Sequence, residues 1–262
     1  MSEQTPIERL VEVMRKLRDP DYGCPWDREQ TWKSLLEHTL EEAYEVAAAI
    51  EQDHAPEEVA NELGDLLFQV VFYSQIADEE NKFNFDDVVT MLSDKLERRH
   101  PHVFGDRNLQ RHELDKIWHE TKANERKSKA MHSVLDDIPV SLPGLSRAQK
   151  IQRRAANEGF DWQDEQGVLD KLAEETEELK QAIANADPDQ IEDELGDMFF
   201  TLVNLSRHMS IDAESSVRRS ANKFEQRYRT MESMIEANGQ KVSQLDVESL
   251  EQHWQQVKRQ TN

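Results

Sequence analysis

Apolar residues recur along the chain at three- and four-residue intervals. Ile7, Leu10, Val11, Met14 and Leu17 form one series, and Leu66, Val70, Tyr73 and Ile76 a second. Phe199, Leu202 and Val203, continued by Ser206, form a third. That spacing places each series on one face of a helix. Gly and Pro number 8 each, too few for a fold of many short strands and turns, so the pattern predicts an all-α protein. It lapses between about Lys122 and Ser146, where a charged run gives way to Ile138-Pro139-Val140-Ser141-Leu142-Pro143-Gly144, a helix-stopping sequence. A chain of 262 residues accommodates two domains of ordinary size. The reading is two tandem helical bundles, residues 1–125 and 146–262, joined by a linker at 126–145.

The two halves repeat each other. Glu41-Glu42-Ala43-Tyr44-Glu45, followed by Glu62-Leu63-Gly64-Asp65, recurs as Glu174-Glu175-Thr176-Glu177-Glu178, followed by Glu194-Leu195-Gly196-Asp197. Residues three and four apart share a helix face, so Glu42 projects with Glu45, Glu62 with Asp65, Glu175 with Glu178 and Glu194 with Asp197. Between the paired elements lie Asp53-His54-Ala55-Pro56 and Asp187-Pro188. There Asp reads as an N-cap and Pro as the first helical position. Each half is then a helical hairpin whose antiparallel packing brings four carboxylates onto one spot. Gly64 and Gly196, in helix interiors where Gly costs about 1 kcal/mol relative to Ala, are expected to mark the close approach of another helix or a ligand.

Like charges gathered in this way repel unless a cation sits among them. Hard carboxylate oxygens suit magnesium, and magnesium suits phosphate chemistry. A helical di-iron centre would pair its glutamates with Glu-x-x-His, whereas the fourth position here is Asp65 or Asp197. Lys and Arg total 32 against 54 Asp and Glu, a formal net charge of -22, which argues against nucleic acid or an anionic membrane as partner. Cys24 is the single cysteine, so neither an internal disulfide nor a cysteine-based zinc site is available. No stretch approaches the roughly 18 apolar residues of a membrane span, and the first residues lack a signal-peptide pattern. The expected location is the cytoplasm.

Further pairs extend the repeat. An aromatic loop precedes each acidic hairpin, Gly23-Cys24-Pro25-Trp26-Asp27 and Gly159-Phe160-Asp161-Trp162. A Lys and an Arg four apart follow it, Lys95 with Arg99 and Lys223 with Arg227, and then Trp118-x-x-x-Lys122 or Trp254-x-x-x-Lys258. After the first hairpin, Pro101 stops a helix between His100 and His102, whereas the matching stretch around Lys223 runs on. No P-loop, Rossmann glycine run or Ser-His-Asp arrangement stands out.

Taken together, Glu-Glu-x-x-Glu, a spacer, Glu-x-x-Asp with Leu-Gly-Asp, Lys223-x-x-x-Arg227 and Trp254, in two tandem copies, resemble the MazG family of the all-α NTP pyrophosphatase superfamily. The resemblance spans nearly the whole chain. It implies magnesium-dependent hydrolysis of NTPs and dNTPs to the monophosphate and pyrophosphate, broad base tolerance, and a homodimer. It also implies that Glu175, Glu178, Glu194 and Asp197 ligate metal, with Glu42, Glu45, Glu62 and Asp65 as a second possible site. Lys171, Glu174, Glu175, Asp193 and Asp197 would lie against nucleotide, Lys223 and Arg227 would hold phosphate oxygens, and Trp254 would stack on the base. Glu174 or Glu175 would serve as general base. Catalysis is expected in the second copy, and a non-hydrolytic nucleotide sensor or a helical interaction scaffold stands as the alternative.

Overall fold

A computed structural model of the chain describes residues 4–105 and 131–260. Trp118 and Lys122 lie outside the described residues, as do residues 126–130 of the expected linker. The chain divides into two compact units, residues 1–123 and 124–262. Among the described residues every regular element is helical.

In the first unit, helix α1 (Pro6–Leu17) opens on a capping box between Thr5 and Glu8, with Pro6 at its first turn. A short helix α2 (Pro25–Glu29) follows, then the long pair α3 (Leu36–Glu51) and α4 (Pro56–Glu79). Met14 of α1 packs with Leu35, Val71, Phe72 and Ile76, all buried, and Leu10, Phe68 and Phe85 close around them. Burying each of these large side chains contributes about 1.5–3 kcal/mol. Helix α5 (Phe85–Arg99), capped by Asn84, stops as expected, and Pro101 opens a separate four-residue helix α6 (Pro101–Phe104).

The second unit repeats the plan with α7 (Gly144–Asn157), α8 (Glu165–Asn185) and α9 (Pro188–His208). Helix α10 (Ala213–Ala237) runs unbroken through Lys223 and Arg227, and α11 (Val247–Gln260) packs Trp254 and Val257 against Met231 and Ile235. Buried Gln149 of α7 fastens the turn between α9 and α10. Its amide donates to the Ile211 carbonyl at 2.9 Å, and its Oε1 accepts from the Ala213 N–H at 3.1 Å.

The two hairpin turns differ. Asp187 caps α9, its carboxylate accepting from the Gln190 N–H, with Pro188 at the first turn. In the first unit Asp53 does not cap α4. It takes a left-handed conformation (φ 53°) that ends α3, and Ala55, with no side chain able to cap, precedes Pro56. The two extra residues between Asp53 and Pro56 carry the carboxylate out of reach of the first-turn N–H groups.

Candidate active site

Each hairpin gathers carboxylates through the helical spacing of its two strands of charge. In the second unit Glu175 of α8 meets Glu194 and Asp197 of α9, one oxygen from each lying within 4.8 Å of the others. In the first unit Glu42, Glu62 and Asp65 form the same trio. Each trio comprises three of the four carboxylates that the sequence suggested. Glu178 and Glu45 sit one turn along their helices, outside the trios, though near enough to be felt. Desolvation, followed by the charges of Glu178, Glu175 and Asp197, raises the Glu194 carboxyl above its ordinary value. Desolvation, Asp65 and Glu45 do the same for Glu42. Three hard oxygen donors under mutual repulsion fit a divalent cation in both units.

The surroundings of the two trios differ. Glu175 is buried, and Lys171, one turn earlier on α8, sits 2.7 Å from it and 2.8 Å from the exposed Glu174. Hydrogen bonds to Glu174 and Glu175 hold the Lys171 ammonium well above the usual lysine range. In the first unit the position equivalent to Lys171 is His38, whose Nδ1 lies 3.6 Å from Glu41 and whose ring meets the edge of Trp26.

Beside the second trio opens a cavity of about 800 Å³ that takes in Lys171, Glu175 and Asp197. Its wall is the Gly159–Trp162 loop, and its far side is Thr201, Asn204 and Arg207 of α9 with Gln152 of α7. Gln152 is buried and donates to the Phe200 carbonyl at 2.7 Å, which fixes its amide orientation and leaves Oε1 without a partner. Trp162 lies flat on the first turn of α8. A Cβ at Gly167 would fall 2.7 Å from its ring, so only glycine admits the ring there. Asp161 ties the loop to the end of α9 through Arg207 and His208.

At the matching place in the first unit stands Phe72, fully buried against Met14, with Trp26 and Phe68 around it. The Arg18 guanidinium covers the Phe72 ring at 5.5 Å while bonding Glu79 at 2.7 Å and the Asp27 carbonyl at 2.5 Å. There a buried apolar side chain stands at the position where Asn204 lines the second unit's cavity.

The other expected nucleotide contacts lie apart from this cavity. Lys223 is exposed and Arg227 half-buried on α10, and Trp254 packs against Phe224 with ring centres 5.1 Å apart. None of the three lines the cavity, and Asp193 is exposed on α9 outside the trio. Gly64 and Gly196 lie in helix interiors, as expected. A Cβ at either would meet nothing within 4 Å among the described residues. Conversely, Thr201, Asn204 and Arg207 were legible but unread, since they follow Asp197 at four, seven and ten residues along one face of α9.

The chain matches the family model of the MazG nucleotide pyrophosphohydrolase domain twice, over residues 30–104 and 163–231, and each range contains one trio. It is 49% identical over 257 residues to a nucleoside triphosphate pyrophosphohydrolase of Escherichia coli K12, covering 97% of each chain. A Thermotoga maritima protein named nucleoside triphosphate pyrophosphohydrolase/pyrophosphatase MazG is 44% identical, over 96% of this chain and 95% of its own. A Mycobacterium tuberculosis nucleoside triphosphate pyrophosphohydrolase is 32% identical, over 94% of this chain and 67% of its own. The chain belongs to the MazG nucleotide pyrophosphohydrolase family and carries that family's domain twice.

Proposed function

We propose that this nucleoside triphosphate pyrophosphohydrolase works through its second unit, with magnesium held by Glu175, Glu194 and Asp197 and completed by Glu178. The observation that carries this reading is the cavity at the second trio, set against the buried Phe72 at the first. Both units keep the carboxylates, and the cavity beside the second trio offers open space for a nucleoside. We assign residues 1–125 and 146–262 to the two domains, and metal binding without turnover to the first.

The enzyme hydrolyses nucleoside triphosphates to the monophosphate and pyrophosphate, a role in nucleotide-pool control. Bound magnesium would supply charge neutralisation on the triphosphate and a lowered pKa for a bound water. The protein groups do the rest. Lys171 offsets the charge of Glu175 in the metal-free protein and is placed to donate to a phosphate oxygen when the nucleotide enters. Glu174 stands outside the trio, and it is the carboxylate available to take the proton of the attacking water. The aromatic loop covers the nucleoside, and Asn204 and Gln152 offer it polar groups. Lys223, Arg227 and Trp254 would reach the nucleotide from the second copy of a homodimer. That assembly is supported by the apolar groove on which Phe199, Leu202 and Val217 stand exposed around Gly196.

No described helix is long and apolar enough to cross a membrane. With a net charge of -22, we place the protein in the cytoplasm, without nucleic acid or membrane partners.

The test is incubation with ATP and with dGTP, with and without magnesium, for wild type, Glu175→Gln and Glu42→Gln. Monophosphate and pyrophosphate formed only with magnesium are expected. Removing a metal ligand withdraws several kcal/mol of transition-state stabilisation, a loss of about a hundredfold or more. That loss in Glu175→Gln with near wild-type turnover in Glu42→Gln supports the reading. The reverse result would move the active site to the first unit.

A further inference from the structure

We infer that Asp161 is a positioning residue for the nucleoside, holding the aromatic wall of the cavity at a fixed distance from the carboxylates. The inference rests on the reading that the second unit's cavity receives the nucleoside.

One oxygen, Asp161 Oδ1, gathers three donors. It accepts from Arg207 Nη2, from His208 Nε2 at 3.2 Å and from the Trp162 N–H at 2.9 Å. Arg207 is itself fixed, since the same Nη2 donates to Asn204 Oδ1 at 2.8 Å and its side chain is largely buried. The latch thus joins three residues that line the cavity, Asp161, Asn204 and Arg207. Burial alone would push the Asp161 carboxyl up, but the Arg207 guanidinium and the other donors outweigh it and keep the carboxylate ionised.

The loop is held at its other end as well. Gly159 leaves α7 in a left-handed conformation (φ 88°), and Trp162 lies on Gly167 at the start of α8. Its two fastenings are therefore to α9 and α8, the helices that carry the carboxylates. Any change of angle between the helices shifts wall and metal site together. Arg207 lies ten residues, about 15 Å of helix, beyond Asp197. The latch is too far from the reacting phosphorus for direct catalysis and acts through the wall it holds.

The first unit shows the alternative. Its equivalents of Arg207 and His208 are Gln75, whose amide donates to Glu79, and Ile76, which has no side-chain donor. Arg18 of α1 does the tying instead, and its guanidinium lies over the buried Phe72 ring. One loop is fastened over a packed core, the other over a cavity.

The experiment compares full-length wild type with Asp161→Ala, Arg207→Ala and the double variant, in magnesium with ATP and with dGTP. Each single variant is expected to raise KM about tenfold, with kcat falling by less than KM rises. The double variant should lose less than the two singles combined, because both break the same Asp161–Arg207 contact. Asp161→Asn, which keeps an accepting oxygen, should recover part of the loss. Manganese affinity without nucleotide, read by electron paramagnetic resonance, should match wild type. Gly167→Ala displaces the wall from its other end without touching the ion pair and should also raise KM, which covers the case of a misfolded Asp161 variant. An unchanged KM in folded Asp161→Ala overturns the inference, as does a fall in kcat alone or additive losses in the double variant. If Glu42→Gln rather than Glu175→Gln abolishes turnover, the site reading fails and takes the latch with it. A dead Glu175→Gln beside a normal Asp161→Ala overturns the latch alone.

Discussion

Phe72 and Asn204 stand at the same station of the repeat, each seven residues beyond the aspartate of its trio, with Phe72 buried in the first core and Asn204 lining the second unit's cavity. This difference lies between two units with the same carboxylates. Asn204→Phe should close the second cavity, raising KM for ATP at least about tenfold without weakening metal binding. Steady-state kinetics beside a manganese titration checks it. Phe72→Ala, by contrast, should cost about 3–5 kcal/mol of stability, seen in chemical denaturation, while leaving ATP hydrolysis intact.

Lys171 should matter before any metal arrives. Its ammonium is the nearest countercharge to the buried Glu175 carboxylate, and removing one partner of a buried pair leaves the other unpaired. With Lys171 itself one-third exposed, solvent screening reduces the cost to about 1–2 kcal/mol. Lys171→Ala is therefore expected to melt at lower temperature without divalent cation and to recover most of that loss in millimolar magnesium. Calorimetry under both conditions reads it. A deficit unchanged by magnesium would mean that Lys171 stabilises α8 for some other reason.

The Arg18–Glu79 pair gives the first unit an acid limit. Burial pushes the Glu79 carboxyl up, but hydrogen bonds from Arg18 and Gln75 bring it below its ordinary value of 4.5. A carboxylate with a depressed folded-state pKa contributes stability that is full above the ordinary value and fades as the pH falls through the folded value. Glu79 is partly exposed, so the contribution is on the order of 1 kcal/mol. Glu79→Gln should lower the melting temperature at neutral pH, and the gap from wild type should narrow as the pH drops below 4.5. A gap that widens in acid would contradict the sign.

The hairpins, the trios and the tandem plan were legible because each depends on local spacing. Glu62 and Asp65 share a face in any helix, and Asp187-Pro188 starts one almost anywhere. What escaped was set by contacts across the fold. Glu178 shares the spacing, and its charge is the largest effect on Glu194 after desolvation. Asp53 looked like a cap, but two more residues stand between it and Pro56. Asp161 and Arg207 are 46 residues apart, and no local pattern links them. Gln152 is buried with its amide on the Phe200 carbonyl, 48 residues away in sequence.

Gly196 tests the homodimer. An interior helical glycine without a neighbour is a cost of about 1 kcal/mol relative to alanine, and among the described residues nothing lies within 4 Å of its Cβ position. Around it Phe199, Leu202 and Val217 expose apolar surface. If a helix of a second copy lies in this groove, Gly196→Leu should drive the backbones apart and shift the protein to monomer in light scattering. Activity should fall with it, since Lys223, Arg227 and Trp254 then lose their route to the nucleotide. Gly196→Leu that stays dimeric and active would place the contact elsewhere. A monomeric variant with full activity would show each copy's site to be complete without its partner.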